Sequence, residues 1–327
     1  MLILIYYQNK KEFMVYKSPI ADFKYNLDML GYNSFAESID QFKDFDTETV
    51  ISVVEQVAKF NEQEMVDSNK KADREGIVYI KDGKEGPEVK TPDYFKPLYQ
   101  SVIESGYIGA SNPTEYGGGG APFAMGILNG EIGIASNMAF YMGPGLSQGA
   151  IKAILKKGNK ELKDKYLPKM ISGEWMGTMC LTEPQCGTDL GLIRSTATPE
   201  EDYYKLNGQK IWISFGEHDL TENIIHLVLA RLPDAPEGIK GISLFLVPKR
   251  LDDNSRNPIF CGGLEHKLGI ISSPTCVMNM DDAKGWMIGE PNKGMEAMFL
   301  MMNDARLKVG LQGVAMSEIA YQNALDF

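Results

Sequence analysis

The sequence of 327 residues predicts an α+β protein in which helices and strands are segregated along the chain. Three observations carry this. Apolar residues recur at helical spacing through the first half. From Trp175 to about Asn279 the pattern changes to short strands. Helical spacing returns at Gly294 and runs to the end of the chain. Helix, then strand, then helix implies separate layers and not an alternating parallel sheet. Length alone suggests roughly two domains, and the changes of pattern divide the chain into 1–174, 175–290 and 291–327.

In the first part, Val50, Val53, Val54 and Val57 line one helical face behind a cap at Asp46 or Thr47. Gly76 to Glu88, rich in glycine and charge, predicts a loop or short hairpin. Thr91-Pro92 reads as an N-cap followed by proline at the first helical position, with Gly106 as the stop. Gly117 to Gly120 precedes an apolar helix over about Phe123 to Phe140, and Leu146 to Leu155 forms another. Neither Gly117-Gly118-Gly119-Gly120 nor Gly143-Pro144-Gly145 follows a strand, so both read as turns and not as nucleotide loops. The expected strands are Trp175–Leu181, Tyr203–Leu206, Gln209–Ser214, Ile224–Leu232, Ile242–Val247 and Thr275–Met280. Asn207-Gly208 signals a tight hairpin between two of them. The last helix carries Met298, Met301, Met302, Ala305, Val309 and Met316.

Composition narrows the function. Acidic residues outnumber basic ones, 44 to 33, giving a net charge of −11; general nucleic-acid binding needs the opposite balance. Local amides and a few cations can still hold an anionic cofactor. Cys180, Cys186, Cys261 and Cys276 have no paired spacing and read as reduced thiols. With His218, His226 and His266 they form no metal constellation. The apolar run Met1 to Tyr7 is too short to span a membrane and lacks a secretory signal's basic flank. A soluble, cytoplasmic protein is expected.

The most informative run is Met179-Cys180-Leu181-Thr182-Glu183-Pro184-Gln185-Cys186-Gly187-Thr188-Asp189, followed by Lys210-Ile211-Trp212-Ile213-Ser214. The first ends a strand in a turn rich in backbone amides and hydroxyls. The second sets an indole face and a hydroxyl on a neighbouring strand. Such a corner can hold a planar, hydrogen-bonding, phosphate-bearing ring system. Together the segments resemble the flavin-binding signature of the acyl-CoA dehydrogenase family. Asn112-Pro113-Thr114-Glu115-Tyr116-Gly117-Gly118 and Lys165-Tyr166-Leu167-Pro168 with Gly173-Glu174 resemble further elements of that family. Glu217 to Asn223 and Glu265-His266-Lys267-Leu268-Gly269 are similar to its larger bacterial subgroup, which includes 3-methylmercaptopropionyl-CoA dehydrogenases. The resemblance begins near Tyr16 and leaves Met1 to Phe13 outside.

The resemblance implies an N-terminal helical domain, a middle antiparallel β-barrel and the start of a C-terminal helical bundle. It implies FAD held by Met179, Cys180, Leu181, Thr182, Gly187, Thr188, Trp212, Ile213 and Ser214. Thr182 would lie near the ring, Thr188 at the phosphate or substrate end, and Trp212 against the isoalloxazine. Ser214 would lie near the hydride-accepting nitrogen. Many relatives carry threonine where Ser214 stands and serine where Thr188 stands, so each hydroxyl is kept. Thr188, Asn303 and Arg306 would meet the acyl-CoA, with an ordinary surface ion pair as the alternative for Arg306.

The implied activity is dehydrogenation of an acyl-CoA to a trans-2-enoyl-CoA, with electrons passed to an electron-transfer flavoprotein by a homo-oligomer. Acyl-CoA oxidase and a non-catalytic flavin- or acyl-CoA-binding protein are the alternatives. The family's glutamate base stands either immediately before the arginine matched by Arg306, where this chain has Ala305, or late in the C-terminal domain. No catalytic base is therefore expected before Phe327, and the chain reads as a partial sequence. Asp304, about 100° round the helix from position 305, is expected to be solvated or capping. The stripe of Met298, Met301 and Met302 is expected to lack a packing partner.

Overall fold

The computed structural model describes residues 15–326; the run Met1 to Tyr7, the rest of the segment to Phe13, and Phe327 lie outside the described residues. The described residues begin with α1 (Ile20–Met29), α2 (Tyr32–Glu37) and α3 (Thr47–Phe60). Asp46 caps α3 by accepting from the Thr49 amide at 2.8 Å, and Val50, Val54 and Val57 are buried as their spacing predicts. A π-helical turn over Asn61–Met65 carries α3 into α4 (Val66–Glu75). The charged segment that follows is a short hairpin, β1 (Val78–Ile80) with β2 (Glu88–Lys90).

Helix α5 (Phe95–Ser105) stops at Gly106, whose φ of 72° suits glycine. Its start differs from the predicted Thr91-Pro92 cap. The Thr91 amide and hydroxyl both donate to Asp219 Oδ1, at 3.0 and 2.8 Å, so a long-range partner takes the capping side chain.

The predicted turn at Gly143-Pro144-Gly145 does not form. One long element, α6 (Phe123–Lys157), runs through it and is broken earlier, at Asn137, with φ −155° and ψ 90°. Asn137 Oδ1 accepts from the Phe140 amide at 3.1 Å and so restarts the helix. The glycine there serves packing: a Cβ on Gly143 would lie 2.9 Å from the Phe215 ring and 3.0 Å from Met176 Sδ. After α6 comes α7 (Lys160–Ser172), capped by Asn159.

The β-region contains β3 (Trp175–Cys180), β4 (Thr196–Pro199), β5 (Tyr204–Ser214), β6 (Asn223–Arg231), β7 (Ile242–Pro248), β8 (Ile259–Leu264) and β9 (Thr275–Ile288). Pairings β6–β4, β4–β5, β5–β9, β9–β7 and β7–β6 close the sheet on itself, with β8 added to β9 and β3 to β6. Most pairs are antiparallel, but β3 runs parallel to β6, and β4 touches β6 in parallel at Thr196↔Arg231, so the expected all-antiparallel barrel is mixed. The Asn207-Gly208 hairpin is also absent. β5 is continuous there, with a register shift against β9 between Leu206 and Gly208. Gly208 has φ 138°, and a Cβ on it would lie 2.4 Å from Ser195 Oγ, so the glycine makes a bulge beneath a crowding neighbour.

The final helix, α8 (Gly294–Asp326), is packed. Met298 and Met301 are fully buried in one cluster with Ile151, Ile154 and Leu244, and Met302 packs at its edge, contrary to the expected bare stripe. The second half of α6 and the barrel supply the cover. The exposed apolar residues of α8 are others: Phe299, Leu307, Val309, Val314, Tyr321 and Leu325. Replacing Met298 by alanine should therefore destabilise the chain by about 2–5 kcal/mol, measured by urea unfolding, whereas a bare stripe would leave the midpoint unmoved.

Candidate functional site

Among the described residues β3 is an edge strand, paired only with β6. The Gly177 amide points away from β6 and donates to Ser147 Oγ at 2.9 Å. Strand alternation puts the main-chain groups of Met179 and Leu181 on that same free edge, and Leu181 O accepts there from Lys210 Nζ at 3.1 Å. Beyond the strand, Glu183 and Cys186 exchange main-chain hydrogen bonds of 2.9 and 3.0 Å around Pro184-Gln185.

A residue that sequence reasoning quoted but gave no role holds this turn in place. Glu183 is 3% exposed and bonds Lys210, itself fully buried, at 2.8 Å. Its carboxylate also accepts from the Ser195 amide at 3.0 Å, the Arg194 amide at 2.7 Å and Gln185 Nε2 at 2.6 Å. Burial alone would raise the Glu183 pKa. The Lys210 charge and these donors overcome it, holding the carboxyl at about 2. The legible signal was a lysine directly before the apolar run Ile211-Trp212-Ile213 and a glutamate four residues after Met179.

Next to Lys210, Ile211 leaves β9 and its amide donates to Thr182 O at 2.9 Å, which joins the two motif segments directly. The register of β5 shifts between Lys210 and Ile213. Trp212 occupies the bulge with φ 59° and an indole side chain 60% exposed. Ser214 is half-buried and pairs with Thr275; Gly187 and Thr188 are exposed. Cys180 and Ile213 are buried in the barrel cluster, so at this corner they offer only their main chains.

β3 also meets α8. Met179, Tyr141, Met142, Met301, Asp304 and Ala305 line one cleft with about 470 Å³ of empty space. Position 305 thus faces the cleft, and alanine occupies it. Asp304 is not solvated as expected. It is buried, bonded to Lys152 and, at 2.6 Å, to Lys308, because the approach of α6 to α8 encloses it. Asn303 and Arg306 lie on the exposed face of α8, where Arg306 Nη1 donates to Asn303 Oδ1 at 2.9 Å.

Comparison with known proteins agrees with this architecture. Residues 47–174 match the acyl-CoA dehydrogenase N-terminal domain, and residues 178–283 match the acyl-CoA dehydrogenase middle domain. The chain belongs to the acyl-CoA dehydrogenase family. Its sequence is 41% identical over 320 residues to 3-methylmercaptopropionyl-CoA dehydrogenase of Ruegeria pomeroyi, covering 96% of this chain and 54% of that protein. The chain spans about half the length of the curated relatives it matches. Among solved structures, acyl-CoA dehydrogenase complexed with FAD from Bacillus anthracis superposes with TM-score 0.67 and 26% identity, over 84% of this chain and 42% of that one. The electron transferring flavoprotein structure from Acidaminococcus fermentans gives TM-score 0.72 and 25% identity over 87% of this chain and 70% of that one. No helix among the described residues is long and apolar enough to cross a membrane.

Breaking the buried pair from one side leaves an uncompensated charge. Lys210→Met should cost about 3–5 kcal/mol, and Glu183→Gln combined with Lys210→Met less than Lys210→Met alone, read by chemical denaturation. Because the folded pKa of Glu183 is depressed, its contribution is present above the ordinary carboxylate range. It is lost as pH falls from about 4.5 towards about 2. Stability measured against pH should fall less steeply in that window in Glu183→Gln.

Proposed function

We propose that a polypeptide carrying these domains oxidises an acyl-CoA thioester to a trans-2-enoyl-CoA with FAD, and that the corner of β3, the following turn and β5 is the flavin seat. The observation that carries this reading is the exposed, bulge-held Trp212 joined through the Ile211–Thr182 bond to a turn of free main-chain groups and hydroxyls. These residues fit the cofactor. A flat apolar indole suits an aromatic ring system, the open edge at Met179 and the Leu181 amide suits its hydrogen-bonding rim, and exposed Thr188 suits an anionic or substrate end.

Bound there, FAD supplies the hydride acceptor. Thr182 and Ser214 orient it through their hydroxyls and Trp212 covers one face. The cleft beside Met179 receives the acyl chain, whose walls at Met142, Leu146 and Met301 exclude water from the carbons that react. Exposed Asn303 and Arg306 meet the CoA side. The α-proton needs a desolvated carboxylate. Ala305 has none and Asp304 is engaged by two lysines, so neither of these two cleft-lining residues supplies the base. An electron-transferring flavoprotein is the proposed electron acceptor, a homo-oligomer the proposed assembly and the cytoplasm the proposed location.

The flavin seat is tested by adding FAD to the purified chain and following the flavin absorbance and quenching of its fluorescence. The wild-type chain should bind, and Trp212→Ala should weaken binding about tenfold or more; equal affinity for the two would put the flavin elsewhere. With FAD and a panel of acyl-CoAs, a longer polypeptide containing the chain should reduce an electron-transferring flavoprotein without making peroxide. Residues 15–326 should bind without turnover; turnover by them alone would place the base among them.

A further inference from the structure

The cleft beside Ala305 changes character along its length. Helices α6 and α8 run antiparallel across it. A Cβ on Gly149 would lie 3.6 Å from Met301 Cα, Lys308 Nζ donates to Gly145 O at 3.1 Å, and Gln312 Nε2 reaches Met142 Sδ at 3.4 Å. Met179 packs against the cluster of Met301, so the proposed flavin corner meets the cleft at that end. Ile134 and Tyr141 pack in the cluster of Leu311 and Met316, at the other end. Lys308 lies between, about 4.5 Å beyond Ala305 along the α8 axis. Lys308 and Tyr141 also line a second cleft, with about 610 Å³ of empty space, whose walls include Asn112, Gln148 and Lys152.

The charges at this junction do not balance. Among the described residues, Lys152, Asp304 and Lys308 are the charged side chains that line the two clefts. Asp304 is bonded to both lysines, so one positive charge is left over. Both lysines remain within reach: 18% of the Lys308 side chain and 37% of the Lys152 side chain are accessible. An ammonium has three N–H donors. Asp304 Oδ2 and Gly145 O take two of those on Lys308, and no described residue takes the third. A methyl-ended chain running past Lys308 would strip its remaining water and offer no hydrogen bond, which costs free energy. A terminal carboxylate would accept from the third N–H and cancel the surplus charge, the pairing that gives strong charge-assisted hydrogen bonds.

We propose that the acyl chain taken by this cleft ends in a carboxylate held by Lys308, with Lys152 adding its charge. The substrate class is then a dicarboxylic acid joined to CoA at one end. This inference rests on the reading of the cleft as the acyl seat. It gives Lys308 a part in selecting the substrate and none in moving the proton or the hydride.

Calorimetric titration of the purified chain with FAD present tests it, comparing glutaryl-CoA and adipyl-CoA with pentanoyl-CoA and hexanoyl-CoA, their matches in carbon number. At least one carboxylate-ended ligand should bind about tenfold tighter than its methyl-ended match. Lys308→Met should abolish that difference and leave the methyl-ended ligands within about threefold of wild type; a merely structural lysine would weaken both classes together. If Lys308→Met does not fold, Lys152→Met, at the more exposed lysine, should cut the preference about threefold. Equal or tighter binding of the methyl-ended ligands by the wild-type chain, or a preference unchanged in the folded variant, would overturn this inference and leave the acyl-CoA reading standing. Absence of binding by all four ligands would overturn the acyl-CoA reading and this inference with it.

Discussion

The Glu183–Lys210 ion pair is the constraint on which the proposed flavin corner depends. Taking both charges out of water is costly, and such a pair persists only when each partner's remaining hydrogen-bonding capacity is met. Here it is: two backbone amides and Gln185 complete the carboxylate, and Leu181 O receives the ammonium. The turn after β3 and the bulge of β5 are consequently one unit. The Thr182–Ile211 bond follows from that registration, and the left-handed Trp212 follows from the bulge. An exposed indole in such a strained position is stable only because the residues on both sides of it are fixed. A fixed corner, and not a flexible loop, is the result.

The helical packing serves the same corner. Asn137 breaks α6 so that its second half can turn against both the barrel and α8, and glycines at 143 and 149 permit close approach to Phe215 and Met301. The buried Asp304 between Lys152 and Lys308 fixes α6 to α8 on the far wall of the cleft. This arrangement holds Ala305 beside Met179. The wall is thus apolar where the acyl chain is proposed to lie, and its one carboxylate is neutralised by lysines.

The features legible in the sequence were those set by local periodicity. The valine face of α3, its Asp46 cap, the Gly106 stop and most barrel strands are decided within a few residues of themselves. What failed was decided at a distance. Asn207-Gly208 has the chemistry of a tight turn, but β4 and β9 pair across it and convert it to a bulge. Gly143-Pro144-Gly145 looks like a break because its partners, Phe215 and Met176, lie far along the chain. The methionines of α8 appeared unpartnered because their cover comes from α6 and the barrel. Strand direction is equally non-local, so the parallel β3–β6 pair was invisible; β4 was too short to register, and Gly262-Gly263 masks β8. At the site, the motif residues were readable as types. The pairing of Glu183 with Lys210 was not, since nothing in either segment indicates which neighbour neutralises a buried charge.

Native-state hydrogen exchange at the Ile211 amide tests the lock between turn and strand most directly, because that amide donates the bond linking the two segments. If the buried pair holds them as one unit, Ile211 should exchange as slowly as the central β6 amides, with an opening free energy equal to that of global unfolding. Exchange at the rate of exposed loop amides, while β6 remains protected, would contradict the account.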